Sequence, residues 1–495
     1  MAPSPLDLFL LTFNCAKNLI NVGVFASHLY GALSQQNATV GAGLPDLVAF
    51  SLQEVAPLSY AFIGSYFLNP YYARYEEALN LASVRLLEAK APPSDGSQAS
   101  LSPTLRPYTL VRAKNVGMTA ILLFARDPTN IHKIEEAECG FGAADMGNKG
   151  AVGLRVTWSD APNGATTPAT EVTLVATHLA AMEWNLKKRN ANWRTIVSGL
   201  TFANPRAILP GPFPADTSAP RPDQSGAGDT HPRPSSTDDD DDDDESTHPL
   251  LPAPSPNPLS DADLAALQAS SIFKPTSHLF LFGDLNYRID TTTPPPLAAF
   301  PSFDPSSLNY YPAFLPRDQL TQERLARRAF HGLAETPIAF GPTYKFDVLP
   351  DSDSAANAAA VRAGSTQNGI PEVPWRFAPH RWPGWCDRVL YLDEGVEVTA
   401  YEALPVVRTS DHRAVFLRAA VAPLREGAVR NREGDPRVEM PVEVDVHAWE
   451  RRAAARRKEL VVGWTAFFWS TREGAVVMAT VMVVVVGAWW VWGLA

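Results

Sequence analysis

Cysteine is scarce in this chain of 495 residues: Cys15, Cys139 and Cys386 are its only thiols, and their spacings are unrelated. An odd number of widely separated cysteines excludes a disulfide framework and a four-cysteine zinc site. Residues 1–7 also lack the basic start and the small-residue cleavage site of a secretory signal. We therefore expect the bulk of the chain to lie in the cytosol, which is a reducing compartment.

An excess of positive charge is also missing. The formal net charge is −11, and the acidic run 238–245 supplies eight of the negative charges, which leaves −3 for the rest of the chain. A protein that binds nucleic acid usually carries a basic excess that neutralises phosphates. The charge balance therefore predicts no nucleic-acid partner. For the acidic run we expect a solvated spacer, with a site for calcium or a basic partner as the alternative.

The composition, with 45% hydrophobic and 19% charged residues, excludes a wholly disordered chain and a polytopic membrane protein. Residues 202–270 are rich in Pro, Ser, Thr, Ala and Asp, so we expect a disordered insert there. Smaller inserts of the same kind are expected at 91–104 and 351–372. The rest of residues 1–425 is expected to form one globular domain.

The C-terminal segment 474–495 has no charged residue and would be about 33 Å long as a helix, which is enough to cross a bilayer. Its far end carries three tryptophans, and a basic cluster at 451–458 precedes it, an arrangement that places the N-terminal domain on the cytosolic side. We predict a transmembrane tail anchor, with a buried core helix as the alternative. Residues 426–473 are expected to form a linker with a basic juxtamembrane segment, flexible and about 35–40 Å in span.

Short apolar runs with β character end in polar residues at five places. Continuous apolar strands are typical of a sheet that is covered on both faces, and polar groups at their ends lie where a rigid scaffold can hold a site. The residues at these ends are Asn14, Glu54, His178, Asp284, Asn286, Asp411 and His412.

This set of polar residues is rich in oxygen ligands and has no cluster of cysteines. Such ligands suit a hard cation, and Mg²⁺ typically takes one or two carboxylates together with waters and phosphate oxygens. A carboxylate and a histidine beside such an ion can direct a water at phosphorus and stabilise the developing charge. The residues therefore indicate hydrolysis of a phosphate ester.

Eight segments, in the same order, resemble motifs of the inositol polyphosphate 5-phosphatases. GDLNYR together with WCDRVL points to inositol phosphates, whereas GDLN and SDH recur across the wider endonuclease, exonuclease and phosphatase superfamily. The segments are TFNCAKN (12–18), SLQEV (51–55), MGNKGAVGLRV (146–156), THLAAMEWNLKKRNANW (177–193), LFLFGDLNYRID (279–290), PTYKFD (342–347), RWPGWCDRVLY (381–391) and SDHRAVF (410–416).

The resemblance implies an α/β fold, the two-sheet, four-layer α/β sandwich of the DNase I-like superfamily, in a catalytic domain over residues 1–425. It also implies Mg²⁺-dependent removal of the 5-phosphate from phosphatidylinositol 4,5-bisphosphate at the cytosolic face of a membrane. The TFNCAKN start combined with a C-terminal anchor is most similar to tail-anchored family members of the yeast endoplasmic reticulum. The endoplasmic reticulum is therefore the expected membrane, and the outer mitochondrial membrane is the alternative.

The resemblance also implies catalytic roles for five residues. Asp284 would orient and deprotonate the attacking water, and Asn286 would position that water and the phosphate. His412 would bind or protonate the scissile phosphate, with Asp387 fixing its tautomer and orientation. His178 would be a further donor to phosphate oxygens.

For the metal ion, the resemblance implies Glu54 as a Mg²⁺ ligand with Asn14 nearby, and Asp411 as support on the metal side. A phosphomonoester dianion repels a nucleophile, so a cation and fixed donors have to offset its charge before water attacks.

Tyr344, Lys345 and Arg381 match the positions that bind the neighbouring 4-phosphate in the family. Lys149 is expected either to face phosphate or to brace a loop, and Arg388 either to orient the site or to form a buried ion pair. The chain has Pro379 where the family usually has a lysine, which puts selectivity for the 4-phosphate in question; Arg376 or His380 is the candidate replacement.

Three other functions fit the same motifs. These are a nuclease of the same fold, a sphingomyelinase-like phosphodiesterase, and a membrane tether built on an inactive phosphatase. The near-neutral charge disfavours the nuclease. The presence of every expected catalytic residue disfavours the inactive tether.

Overall fold

In a computed structural model, the chain folds into two packed sheets with helices on their outer faces. The expected inserts at 91–104 and 351–372, and the acidic run 238–245, lie outside the residues that the structure describes. The described residues are 4–35, 43–90, 105–160, 169–209, 259–350, 373–424 and 434–493.

The described part of the chain contains thirteen strands. In chain order they are β1 (Leu6–Asn14), β2 (Leu47–Gln53), β3 (Thr109–Val116), β4 (Thr119–Ala125), β5 (Ile131–Gly140), β6 (Gly150–Trp158), β7 (Thr170–His178), β8 (His278–Asp284), β9 (Phe346–Val348), β10 (Trp375–Phe377), β11 (Asp387–Tyr391), β12 (Val396–Ala403) and β13 (Val415–Val421).

Nine α-helices join or follow these strands within the described residues. They are α1 (Val22–Ser34), α2 (Leu58–Ile63), α3 (Asn69–Lys90), α4 (Leu186–Gly199), α5 (Pro205–Ile208), α6 (Asp261–Ser270), α7 (Gln319–Leu325), α8 (Ala448–Ser470) and α9 (Arg472–Trp492).

Both large sheets are mixed. The first has the strand order β12-β13-β1-β2-β4-β3 and the second β11-β8-β7-β6-β5, while β9 and β10 form a small separate pair. Each large sheet contains one parallel pair, β1 with β2 and β7 with β8, and the other neighbours are antiparallel. The two parallel pairs decide where the site lies.

The four strands of these pairs are buried on both faces over almost their whole length, so their central residues are largely apolar. Parallel strands end at the same edge of a sheet, so Asn14 is paired with Gln53, and His178 with Asp284. The two sheets also meet directly, since the Ser51 hydroxyl donates to the carbonyl of Phe282 in the other sheet at 2.8 Å. The polar ends of all four strands therefore gather at one place.

Three apolar clusters separate the layers. One lies between the sheets and includes Leu10, Leu174 and Phe282. The second joins the outer face of the first sheet to α1 and α3, and the third joins the outer face of the second sheet to α4 through Trp193. This arrangement confirms the predicted four-layer α/β sandwich.

The expected disordered insert at 202–270 is ordered at both of its margins. Helix α5 follows its start, and α6 ends it with a capping box in which Ser260 and Asp263 satisfy each other's backbone donors. Leu267 is buried against the domain. The prediction extended the insert too far because polar and small residues that cap and cover a helix have the same composition as a spacer.

The predicted linker, 426–473, also differs from the structure. Residues 448–470 form α8, which packs against α2, and buries Ala455 and Phe467. Part of the basic cluster is used within the domain, because the Arg452 side chain is buried and paired with Glu459 of the same helix at 2.5 and 2.9 Å and with Glu138 of β5 at 3.1 Å. A flexible tether of about 35–40 Å is therefore wrong for the described part of this segment.

Among the described helices, α9 alone is long and apolar enough to cross a membrane, and almost none of it is buried against the protein. It begins two residues before the predicted segment 474–495. Only Thr471 separates it from α8, and the Thr471 hydroxyl caps α9 by accepting from the backbone N–H of Gly474 at 2.9 Å.

Candidate active site

The carboxyl ends of β1, β2, β7 and β8 line an open cleft of about 520 Å³. Ten of the thirteen predicted site residues line it. Of the other three, Asp387 contacts His412 from behind the cleft wall, and Arg381 and Arg388 lie outside the lining. The ten are Asn14, Glu54, Lys149, His178, Asp284, Asn286, Tyr344, Lys345, Asp411 and His412.

Asp284, the last residue of β8, is the centre of the cleft. One of its carboxylate oxygens accepts a hydrogen bond from the Asn14 amide at 3.0 Å and lies 3.3 Å from Nε2 of His178 and 3.9 Å from Nε2 of His412. The other oxygen accepts the backbone N–H of Asn286 at 3.0 Å. Side chains from both sheets therefore converge on this one carboxylate.

The charges around Asp284 keep it ionised. Burial favours the neutral acid, but the positive charge of His412, the contact with His178 and the nearby Lys149 outweigh burial and lower the pKa of Asp284 well below its ordinary value. Burial, reinforced by Lys149, lowers the pKa of His178. Asp284 is thus an acceptor held in place by donors.

His412 is oriented from behind by Asp387. Its Nδ1 lies 2.9 Å from Oδ2 of Asp387, which also accepts from the Thr343 hydroxyl at 2.7 Å. Burial disfavours the charged imidazole, but the carboxylates of Asp387 and Asp284 overcome burial and raise the pKa of His412. Nε2 of His412 consequently faces the cleft as a proton donor.

Glu54 follows β2 with a left-handed backbone conformation, φ +46°, which is uncommon for a residue with a side chain. Its carboxylate lies 3.5 Å from the Lys17 ammonium. Burial favours the neutral acid, but the charges of His178, Lys149 and Lys17 outweigh it and lower the pKa of Glu54. Glu54 and Asn14 both line the cleft, and an ionised carboxylate with an amide oxygen is a hard-oxygen donor set that fits Mg²⁺.

Lys345 and Asp411 form an ion pair of 2.9 Å on another wall of the cleft. Burial opposes the charge of Lys345, but Tyr344 and Asp411 outweigh it and raise the pKa of Lys345. Because Asp411 is paired with Lys345, its contribution to a metal site remains a prediction.

The sequence analysis assigned no role to Arg288, although the structure places it in the cleft. Its guanidinium lies 4.4 Å from the centre of the Tyr344 ring and donates to the side-chain oxygen of Asn286. Arg288 is the last residue of GDLNYR, so the motif itself was the signal that could have identified it. We infer that it holds Asn286 in position.

Arg381 lies outside the cleft lining and is held by Glu183, whose carboxylate is 3.6 Å away and fully buried. It also contacts the sulfur of Met182 at 3.4 Å. Arg376 and His380 are the candidates for supplying the positive charge that Pro379 lacks, and neither of them lines the cleft. Arg376 is paired with Asp347 at 3.6 Å. The role of Arg381 in binding a 4-phosphate stays a prediction.

Arg388, for which the sequence leaves open a role in orienting the site or a buried ion pair, lies outside the cleft lining. Its side chain is fully buried behind β11 and donates to Asp318 at 3.0 Å and to Glu335 at 2.6 Å. All its charge is used within the protein, so it forms the buried ion pair that was the alternative interpretation.

A family model described as endonuclease/exonuclease/phosphatase family 2 matches residues 11–418 of this chain. Inositol-1,4,5-trisphosphate 5-phosphatase 1 of Schizosaccharomyces pombe is 25% identical over 313 residues, which are 62% of this chain and 19% of that protein. Phosphatidylinositol 3,4,5-trisphosphate 5-phosphatase 1 of Homo sapiens is 34% identical over 143 residues, which are 28% of this chain and 11% of that protein. These relatives confirm the resemblance to 5-phosphatases, and the chain spans less than a quarter of their length.

Among solved structures, the inositol polyphosphate 5-phosphatase domain of SpSynaptojanin, in complex with inositol (1,4)-bisphosphate and a calcium ion, aligns with a TM-score of 0.49. It is 19% identical in sequence, and the alignment covers 96% of this chain and 93% of that chain.

We predict that Arg388→Met destabilises the protein strongly, because it leaves the buried carboxylates of Asp318 and Glu335 without their cation. The expected loss in the free energy of unfolding is about 3–5 kcal/mol, measured by urea denaturation. Arg376→Met is the control, since its ion pair with Asp347 is exposed and should change stability by less than about 1 kcal/mol. An Arg388→Met protein as stable as the control would contradict the prediction.

Proposed function

Because this chain belongs to the endonuclease/exonuclease/phosphatase family 2, we propose that its cleft hydrolyses a phosphate ester, namely the 5-phosphate of phosphatidylinositol 4,5-bisphosphate. The products are phosphatidylinositol 4-phosphate and phosphate. The observation that carries the proposal is the position of Asp387 opposite Asp284 on the paired strands β11 and β8. This pairing joins the GDLNYR and WCDRVL motifs, which are the two that point to inositol phosphates.

In the proposed reaction Asp284 orients a water molecule in line with the 5-phosphate and takes its proton as the new P–O bond forms. Its lowered pKa makes Asp284 a reliable acceptor of hydrogen bonds but a weak base, so the water is activated mainly by position and by the charges around it. Asn286, held by Arg288, fixes the water and a phosphate oxygen.

The donors and positive groups that surround Asp284 offset the charge that develops on the phosphate. His412, kept protonated by Asp387, donates from Nε2 to a phosphate oxygen or to the departing oxygen. Lys149 lies against His178, so these two residues present further donors to the same group. Fixed donors of this kind need no reorganisation during the reaction, which is why they lower its barrier.

Glu54 and the Asn14 amide oxygen would hold Mg²⁺, which when bound supplies charge to the phosphoryl oxygens and acidifies a coordinated water. The chain itself provides an ionised carboxylate for this purpose, and the strained backbone at Glu54 aims it into the cleft.

We assign recognition of the adjacent 4-phosphate to Tyr344 and Lys345, with Arg381 at the rim. The relatives named for inositol 1,4,5-trisphosphate and phosphatidylinositol 3,4,5-trisphosphate 5-phosphatases support a substrate that carries a 5-phosphate. In this assignment Lys345 supplies a point charge, and Arg381 supplies a planar fork.

The lipid form of the substrate is supported by α9, whose apolar surface is exposed over most of its length. A membrane-spanning α9 would keep the domain at a bilayer and raise the local concentration of lipid headgroups. We propose the cytosolic face of the endoplasmic reticulum as the location.

Asp284→Asn should lower the rate of phosphate release from phosphatidylinositol 4,5-bisphosphate on the order of 10² to 10⁴-fold, because the amide cannot take a proton. The measurement offers a panel of phosphoinositides and soluble inositol phosphates to both proteins and identifies the position of each product phosphate. Asp290→Asn is the matched control from the same motif, because Asp290 pairs with Arg317 outside the cleft lining.

Three outcomes would contradict the proposed function. Nicking of plasmid DNA without action on phosphoinositides would indicate a nuclease, and release of phosphocholine from sphingomyelin would indicate a phosphodiesterase. Absence of phosphate release from the entire panel would indicate a tether without catalysis.

Removal of divalent ions with a chelator should abolish phosphate release, and added Mg²⁺ should restore it. Glu54→Gln should raise the Mg²⁺ concentration needed for half-maximal rate by at least about tenfold, because a neutral amide binds a hard cation weakly. Glu76→Gln is the control, since Glu76 pairs with the exposed Arg106 away from the cleft lining. Full activity in the chelator would overturn the metal assignment.

Deletion of 474–495 should release the protein from membranes while leaving hydrolysis of a short-chain, water-soluble substrate within about threefold of the full chain, because α8 and the cleft remain. Flotation with vesicles measures membrane binding, and phosphate release measures activity. Simultaneous loss of both would contradict the anchoring role of α9.

A further inference from the structure

Helix α8 contacts the two segments that lead into the cleft. On one side Arg456 donates to the carbonyls of Phe62 and Ile63, at 2.5 and 3.2 Å, which closes the end of α2. Gly463 allows α8 to approach closely there, since a Cβ atom at that position would lie 2.9 Å from Cβ of Phe62. Helix α2 begins four residues after Glu54.

On the other side Glu459 reaches the loop that carries Lys149. The Glu459 side chain is fully buried, and its Oε1 accepts the backbone N–H of Gly147 at 2.8 Å. Arg452 and Arg456 neutralise the carboxylate at 2.5 and 3.2 Å. A buried carboxylate with two guanidinium partners is a fixed acceptor, because any displacement would leave a charge unpaired.

Two further hydrogen bonds link Gly147 to Val55, the residue after Glu54. The carbonyl of Gly147 accepts the N–H of Met118 at 3.2 Å, and the carbonyl of Met118 accepts the N–H of Val55 at 3.1 Å. Glu459 is therefore connected to the neighbour of Glu54 through three hydrogen bonds, the one that its side chain accepts from Gly147 and two between backbone groups. Lys149 lies two residues after Gly147 along the chain, just before β6.

We propose that Glu459 is a positioning residue for the cleft, acting through the Gly147 backbone to fix the segments that carry Lys149 and Glu54. The proposal rests on the proposed function, because it assigns these two residues to phosphate and metal binding. Misplacement of reacting groups by about 1 Å can cost about 10²-fold in rate, so a single acceptor outside the cleft is able to control turnover.

Glu459 lies on the helix that leads into the candidate membrane span α9. Helix α8 leads into α9 after one residue, Thr471, so the helix that orders the cleft is also the helix that enters the membrane-spanning segment. The basic residues that the sequence assigned to the membrane surface are in part the residues that neutralise Glu459.

The test compares three variants of the full chain in detergent. Glu459→Leu removes the acceptor, whereas Glu459→Gln keeps an oxygen for the Gly147 N–H. Asp7→Leu is the control, because Asp7 is also a buried carboxylate paired with an arginine, Arg418, at 2.6 Å, and lies at the opposite end of β1 from the cleft.

The rate is measured on a water-soluble inositol phosphate with a 5-phosphate, at a temperature where all variants are folded. Glu459→Leu should lower kcat by at least about tenfold with little change in KM, Glu459→Gln should stay within about threefold, and Asp7→Leu should lose stability but keep its kcat. An unchanged kcat in Glu459→Leu, or an equal loss in all three variants, would overturn the proposal.

Hydrogen exchange of the backbone amides supplies a readout that does not depend on activity. The amides of Gly147 and Val55 should exchange at least about tenfold faster in Glu459→Leu and at the wild-type rate in Asp7→Leu. Unchanged exchange at both amides in Glu459→Leu would refute the positioning role. A wild-type chain that releases no phosphate would refute the proposed function instead, and the exchange measurement would still decide the role of Glu459.

Discussion

The contact on which the site depends is the hydrogen bond of 3.0 Å between the amide of Asn14 and the carboxylate of Asp284, which joins the ends of strands from opposite sheets. Each sheet brings a parallel pair whose strands end together, and the face-to-face packing of the sheets brings those two ends together in turn. The apolar interior between the sheets therefore fixes the geometry of a polar cleft at its edge.

Within that cleft the carboxylates and the cations stabilise each other. Isolated buried charges would cost several kcal/mol each. Asp284 and Glu54 instead lie among His178, Lys149 and His412, so both acids are ionised and the imidazole of His412 is protonated. The same charges that stabilise one another also leave ionised carboxylates and hydrogen-bond donors lining one cleft.

The sequence predicted the central strands well because a strand buried on both faces is a continuous apolar run, as at 47–53 and 279–282. It also predicted most of the cleft, because the motifs end those strands. It could not choose between the two roles considered for Arg388, because its acidic partners, Asp318 at the start of α7 and Glu335 in a loop, have no pattern of their own. It failed for α8 because a helix that buries a charged network has the composition of a spacer.

The docking of α8 limits how far the domain can reach. Thr471 is the only residue between α8 and α9. If α9 spans a bilayer, the domain is therefore held close to the membrane surface and has no flexible linker that would let it extend away. The headgroups presented to the cleft are then those of the bilayer that holds α9. Under that condition the domain would act in cis, and the lipids of an apposed membrane would lie beyond its reach.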